Sequence, residues 1–152
     1  MRTRLCLLLV TVWGMALLAG CSGEAPNAAP FSPQKEQATM KMNVQIGDQI
    51  FTATLADTKA AQEFAQMLPM TITLDDYGGF EKVGSLGRSL TTSNSQTTTT
   101  VGDIVLYNGS NIVMFYGSNS WSYTRLGKLD DVPGWADALG HGSVSAIFTL
   151  AD

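Results

Sequence analysis

Gly102-Asp103-Ile104-Val105-Leu106-Tyr107-Asn108-Gly109-Ser110-Asn111-Ile112-Val113-Met114-Phe115-Tyr116 is the stretch on which the fold turns. Two runs, residues 104–107 and 112–116, are rich in β-branched and aromatic side chains and flank Asn108-Gly109, the dipeptide favoured in tight hairpin turns. Neither run alternates apolar with polar residues. A strand that is apolar throughout is covered on both faces, so this hairpin is expected at the centre of a closed sheet.

Working outward, the C-terminal side reads as a loop through Trp121, a short strand over residues 123–129, a helix over 133–139 and a last alternating strand over 143–150. On the N-terminal side, residues 91–100 hold only Ser, Thr, Asn and Gln and read as a long exposed loop. Residues 81–90 carry a strand signal interrupted by Gly84 and Gly87. Tyr77-Gly78-Gly79-Phe80 turns the chain back to the alternating Met70-Thr71-Ile72-Thr73-Leu74. Before it, Asp57 or Thr58 caps a helix through Leu68, with Ala61, Phe64, Ala65 and Leu68 at helical spacing and Pro69 forbidding continuation. Met42-Asn43-Val44-Gln45-Ile46, a turn at Gly47-Asp48, and residues 50–55 form the first hairpin. Eight short strands and two helices predict a mainly β protein built as a closed barrel.

The 152-residue chain has a different character ahead of this domain. Met1-Arg2-Thr3-Arg4 is a charged start, and residues 5–18 are apolar almost throughout, too short to span a bilayer comfortably and suited to a signal peptide. It ends in Leu18-Ala19-Gly20-Cys21, which resembles the lipobox of bacterial lipoproteins. That resemblance implies that residues 1–20 are removed, that Cys21 is acylated, and that a lipid bilayer is the first partner, in the outer membrane where the host has one. Residues 21–40 contain Pro26, Pro30 and Pro33 and, before Met40, a single large apolar residue, Phe31, so they read as a flexible tether to a domain over 41–152. At ~5–6 Å × √n the tether holds the domain roughly 25 Å from the membrane. Loss of Arg2 and Arg4 leaves seven basic against thirteen acidic residues, a net charge of −6. With no basic cluster, nucleic acid is not an expected partner. Cys6 leaves with the signal peptide and Cys21 carries lipid, so no thiol remains for a disulfide.

The order of elements resembles the cyclophilin fold, an eight-stranded barrel with a helix at each end. Thr58-Lys59-Ala60-Ala61-Gln62-Glu63-Phe64 is similar to the cyclophilin helix in which Lys-Thr-Ala leads to Asn-Phe. Leu86-Gly87-Arg88-Ser89-Leu90 sits where cyclophilins carry Phe-His-Arg and two apolar residues. Gly102-Asp103-Ile104-Val105-Leu106-Tyr107-Asn108 resembles the strand that begins with Gly and ends near Asn, and Leu126-Gly127-Lys128-Leu129 resembles the Phe-Gly-Lys-Val strand before the second helix. The likeness is closer to the small bacterial cyclophilin-like domain proteins, which share the Asp-Tyr-Gly, Gly-Asp-Ile and Leu-Gly-Lys/Arg segments.

The resemblance implies a site. Arg88 falls on the arginine that stabilises a twisted prolyl amide in the isomerases, Met114 or Phe115 on the pocket phenylalanine, and Trp121 on the loop tryptophan. The sequence also departs from that pattern: the Met-x-Gln-Gly-Gly-Asp-Phe segment gives way to the Ser/Thr run, and Tyr123 stands near the place of the histidine after the tryptophan. Arg88 is the candidate catalytic residue, and Arg88, Tyr107, Met114, Phe115, Trp121 and Tyr123 are the candidate ligand-binding residues. Met114 and Phe115 are successive strand residues, so one faces the core and the other the outer surface. Tyr77, Tyr107, Tyr116 and Tyr123 can line a groove with polar tips. His141, the single histidine, lies between two glycines in an expected turn, and Asp75-Asp76 and Asp130-Asp131 read as turn residues rather than a glycosidase-like pair. No metal site or cofactor is called for. Three functions remain open: a binding module for a peptide or small ligand in the cell envelope, a peptidyl-prolyl isomerase acting on exported chains, and a structural role in which the barrel binds a neighbouring envelope protein through its surface.

Overall fold

The computed structural model describes residues 39–152; the expected signal peptide, Cys21 and all but the end of the expected tether lie outside the described residues. The chain runs β1 (Lys41–Ile46), β2 (Gln49–Leu55), α1 (Lys59–Ala65), β3 (Met70–Tyr77), β4 (Glu81–Ser85), β5 (Ser95–Thr98), β6 (Asp103–Tyr107), β7 (Asn111–Phe115), β8 (Ser120–Leu129), α2 (Trp135–Leu139) and β9 (Val144–Leu150). Eight antiparallel strands follow the order β2-β1-β9-β3-β4-β7-β6-β8, and β8 returns to β2 through Ala53↔Leu129 to Leu55↔Gly127. The sheet therefore closes into the expected eight-stranded barrel. At this seam a Cβ on Gly127 would stand 2.6 Å from the Thr54 carbonyl oxygen, so only glycine lets the two backbones meet.

The founding hairpin explains its own composition. Tyr107 pairs with Asn111 across the three residues Asn108-Gly109-Ser110, the first two at positive φ, and Ser110 donates its N–H to the Tyr107 carbonyl at 3.3 Å. Ile104, Leu106, Ile112 and Met114 point into the barrel core, while Val105, Val113 and Phe115 join Tyr123 in a second apolar cluster. Both faces of the hairpin are covered, which is why its strands do not alternate in sequence.

The helices bear on the barrel through single large residues. Thr58 caps α1, its Oγ1 accepting from Ala61 N–H at 3.1 Å and donating to the Arg125 carbonyl at 2.8 Å; Phe64 is fully buried edge-on to Phe148, with centroids 5.7 Å apart. The helix stops at Ala65, short of the expected Leu68, because the residue before a proline is driven out of the α region and the chain tightens into Met67 N–H to Phe64 and Leu68 N–H to Ala65 bonds. In α2, Trp135 is fully buried beside Phe51 at 5.0 Å, and its Nε1–H donates to the Phe115 carbonyl at 3.0 Å.

Four expectations are corrected. β4 ends at Ser85 rather than Leu90: Gly87 turns at positive φ, and Leu86 and Leu90 N–H groups bond to Ser110 and Gly109, folding residues 86–90 over the hairpin turn. The Ser/Thr run is not all exposed loop, for β5 pairs with Ser120–Tyr123 of β8, and Thr97 and Thr99 are buried. Hydroxyls take the place of apolar contacts there: Thr99 Oγ1 donates to the Asn119 carbonyl and accepts its N–H, both at 3.0 Å. Trp121 belongs to strand β8, not to a loop. Asp75 and Asp76 lie within β3 instead of a turn, and both are tied down, Asp75 by the Ser143 hydroxyl at 2.6 Å and Asp76 by Lys82 and Tyr116.

Candidate functional site

The second cluster, on the outside of the barrel wall, is the floor of a cavity of about 310 Å³ lined by Tyr77, Phe80, Glu81, Val83, Tyr107, Asn111, Val113, Asn119, Trp121 and Tyr123. Its parts come from β3, β4, β6, β7, β8, the turn before β4 and, for Asn119, the connection between β7 and β8. The Phe80 carbonyl accepts the N–H groups of Tyr116 at 3.0 Å and Gly117 at 2.9 Å, and a Cβ on Gly78, at φ +64°, would collide with the Phe80 ring. Tyr123 is buried edge-on to Phe115 (5.7 Å) and Tyr107 (6.2 Å), and its hydroxyl accepts from Asn119 Nδ2 at 3.0 Å. Burial pushes the Tyr123 phenol up, with the charge of Glu81 adding to it. At the rim, Trp121 is 58% and Tyr77 66% exposed, unusual for rings of that size.

β4 puts opposite charges on opposite sides of the wall. Lys82, paired in register with the inward-facing Met114, is completely buried at one end of the barrel. Its ammonium lies 2.8 Å from Asp76 Oδ2 and donates to the carbonyls of Gly140 at 3.0 Å and Gly142 at 2.6 Å, satisfying all three donors. Asp76 also accepts the Tyr116 hydroxyl at 2.6 Å; Lys82 first, then Tyr116, hold its carboxyl below the ordinary range, while burial and the Asp76 carboxylate push Tyr116 up to about 12. Glu81, one residue earlier and opposite Phe115, faces outward, lines the cavity and is 7% exposed. Its Oε2 has no hydrogen-bond partner, and burial pushes its pKa up. Because the pleat sends adjacent residues to opposite faces, Lys82 cannot neutralise it.

The structure brings three of the expected binding residues, Tyr107, Trp121 and Tyr123, to one cavity, and sets Phe115 beneath it in the supporting cluster. Met114 is in the barrel core, buried on the inner face, so it is the core-facing member of its pair and does not line the cavity. Arg88 is an exposed residue beyond the end of β4 whose charge acts on Glu63 of α1; it is not among the lining residues either. Of the four tyrosines, Tyr116 lies on the Lys82 side and the other three line the cavity. Sequence reasoning missed Phe80, Glu81, Asn111 and Asn119. The available signal was Glu81-Lys82-Val83 at the head of a strand, which puts a carboxylate on the same face as an apolar residue. His141 is exposed in a bend, and among the described residues no three His, Cys, Asp or Glu converge.

Comparison with known proteins bears on the fold. No curated protein matches the chain. Among solved structures, a hypothetical protein from Archaeoglobus fulgidus, determined in solution, superposes with a TM-score of 0.58 at 13% identity, covering 78% of this chain and 99% of its own. The profile of the Cyclophilin-like family matches residues 44–150, which takes in every barrel strand and both helices but for the first residues of β1. The chain thus belongs to the Cyclophilin-like family.

Proposed function

We propose that this protein is a cell-envelope lipoprotein whose barrel binds a small ligand, or one side chain of a peptide, in the outer cavity. The observation that carries the binding part is the combination of an apolar floor with two large rings, Trp121 and Tyr77, left exposed at its rim. Apolar concavities with a few convergent polar groups are the usual form of ligand sites, and about 310 Å³ is at the small end of their range. The anchoring part rests on Leu18-Ala19-Gly20-Cys21 alone. Arg88 stands apart from the lining, which favours binding over prolyl isomerisation, the alternative carried by the resemblance to the isomerases.

The test follows the indole N–H resonances of the purified protein during titration with acetyl-Ala-Ala-Pro-Ala-amide and with a set of small aromatic and amine fragments. Binding in the cavity shifts Trp121 and leaves the buried Trp135 nearly unmoved. A set of ligands that moves neither overturns the binding reading. Acceleration of cis/trans exchange in the proline peptide, lost in Arg88→Ala, would replace it with the isomerase. For the anchor, Cys21→Ser is expected to abolish incorporation of labelled palmitate and either release the protein from the membrane fraction or strand it there with residues 1–20 still attached.

A further inference from the structure

Glu81 is a carboxylate largely buried in the wall of an aromatic cavity, 7% exposed, with Oε2 unpartnered and no lysine or arginine among the lining residues. Such a group carries a desolvation cost that folding alone does not require. A neutral residue of the same size would fill the position without that cost. Around it, Tyr77, Phe80, Tyr107, Trp121 and Tyr123 supply five rings, whose electron-rich faces attract cations. The one lysine on the same strand, Lys82, is on the other side of the wall with its donors satisfied. The chain as a whole is acidic, at −4, so long-range attraction has the same sign as the local one.

We propose that the cavity receives an alkylammonium group of the lysine type, its nitrogen donating a hydrogen bond to Glu81 and its methylene stem lying against the aromatic lining. This deepens the binding reading above and rests on it. A cavity-lining carboxylate with no donor in the protein is met best by an N–H, so a primary ammonium is selected over a quaternary one, which has charge but no N–H. The size of the cavity suits a single unbranched stem. A free amine and a lysine within an extended peptide share this chemistry.

Calorimetric titration of the full-length protein tests it with four probes: Nα-acetyl-lysine methylamide, its norleucine counterpart, tetramethylammonium, and the peptide acetyl-Ala-Ala-Lys-Ala-Ala-amide. The lysine derivative is expected to bind at least tenfold more tightly than norleucine or tetramethylammonium. Glu81→Gln, which keeps the shape, is expected to erase that preference while leaving norleucine affinity within about twofold. Trp121→Ala, at the exposed rim, should weaken both ligands and keep the preference. A peptide that binds more tightly than the single residue places the ammonium on a protein partner; equal affinities place it on a small amine. Equal binding of lysine and norleucine, or an undiminished preference in Glu81→Gln, overturns the cation assignment while the cavity stands as an apolar site. No heat and no Trp121 shift with any probe overturns both readings.

Discussion

Lys82 and Glu81 show how differently two neighbouring charges can be treated by one strand. Lys82 sits among an aspartate, two carbonyls and the Tyr116 ring, so Lys82→Met should leave Asp76 and both carbonyls short of a donor and cost about 3 kcal/mol in urea unfolding. Glu81→Gln should do the reverse. Because burial raises the Glu81 pKa, the native state keeps its proton longer than the unfolded chain does; stability is full below the ordinary glutamate value of about 4.3 and falls as pH rises through the raised one. The other titratable groups in the lining of its cavity are the phenols of Tyr77, Tyr107 and Tyr123; burial, with the Glu81 charge adding to it, raises Tyr123, which stays neutral across that range. Melting curves from pH 4 to 8 should therefore show a decline in the wild type that Glu81→Gln removes, with the variant the more stable at neutral pH. Asp76, Asp130 and Glu63 act with the opposite sign: their lowered pKa values give stability that is present above the carboxylate range and lost as pH falls through them, in wild type and variant alike. In the sequence, Tyr107, Trp121 and Tyr123 could be read as groove residues from their type and from family likeness. Glu81 could not, because whether a strand-end carboxylate finds a cation depends on which side of the sheet the cations lie.

Among the elements, those with a strong periodic signature were legible and those held by hydroxyls were not. The hairpin β6–β7, the β1–β2 pair and the stripe of α1 all follow from apolar pattern and turn chemistry. β5 contains no apolar residue, so nothing in Ser95-Gln96-Thr97-Thr98 distinguishes it from a loop until β8 provides the ladder. The α1 cap offers a direct check on the local reading. Thr58→Ala removes both the bond from Ala61 N–H and the one to the Arg125 carbonyl, and is expected to cost about 1–2 kcal/mol by denaturant midpoint. Phe64→Ala, which empties the contact between α1 and Phe148, should cost about 3–5 kcal/mol. A Phe64 variant as stable as the wild type would mean that the helix lies on the barrel without contributing to its core.

At the scale of the whole molecule, the count and order of strands were enough to expect a closed barrel, while the seam was not visible, since β2–β8 pairing spans three residues with an ordinary sequence. Among the described residues, the buried apolar core runs from Met42 to Phe148. A chain beginning at residue 39 is accordingly expected to melt within a degree or two of the full-length protein, measured by circular dichroism. The ring of strands has a further effect. β5 is the one strand of the described sheet with a single neighbour, and it is four residues long and carries only hydroxyl and amide side chains. Exposed strand edges are where sheets of different molecules join, and short, polar edges are poor templates for that. A protein built this way can be packed densely, as on a surface where copies are confined to two dimensions, without its copies zipping together.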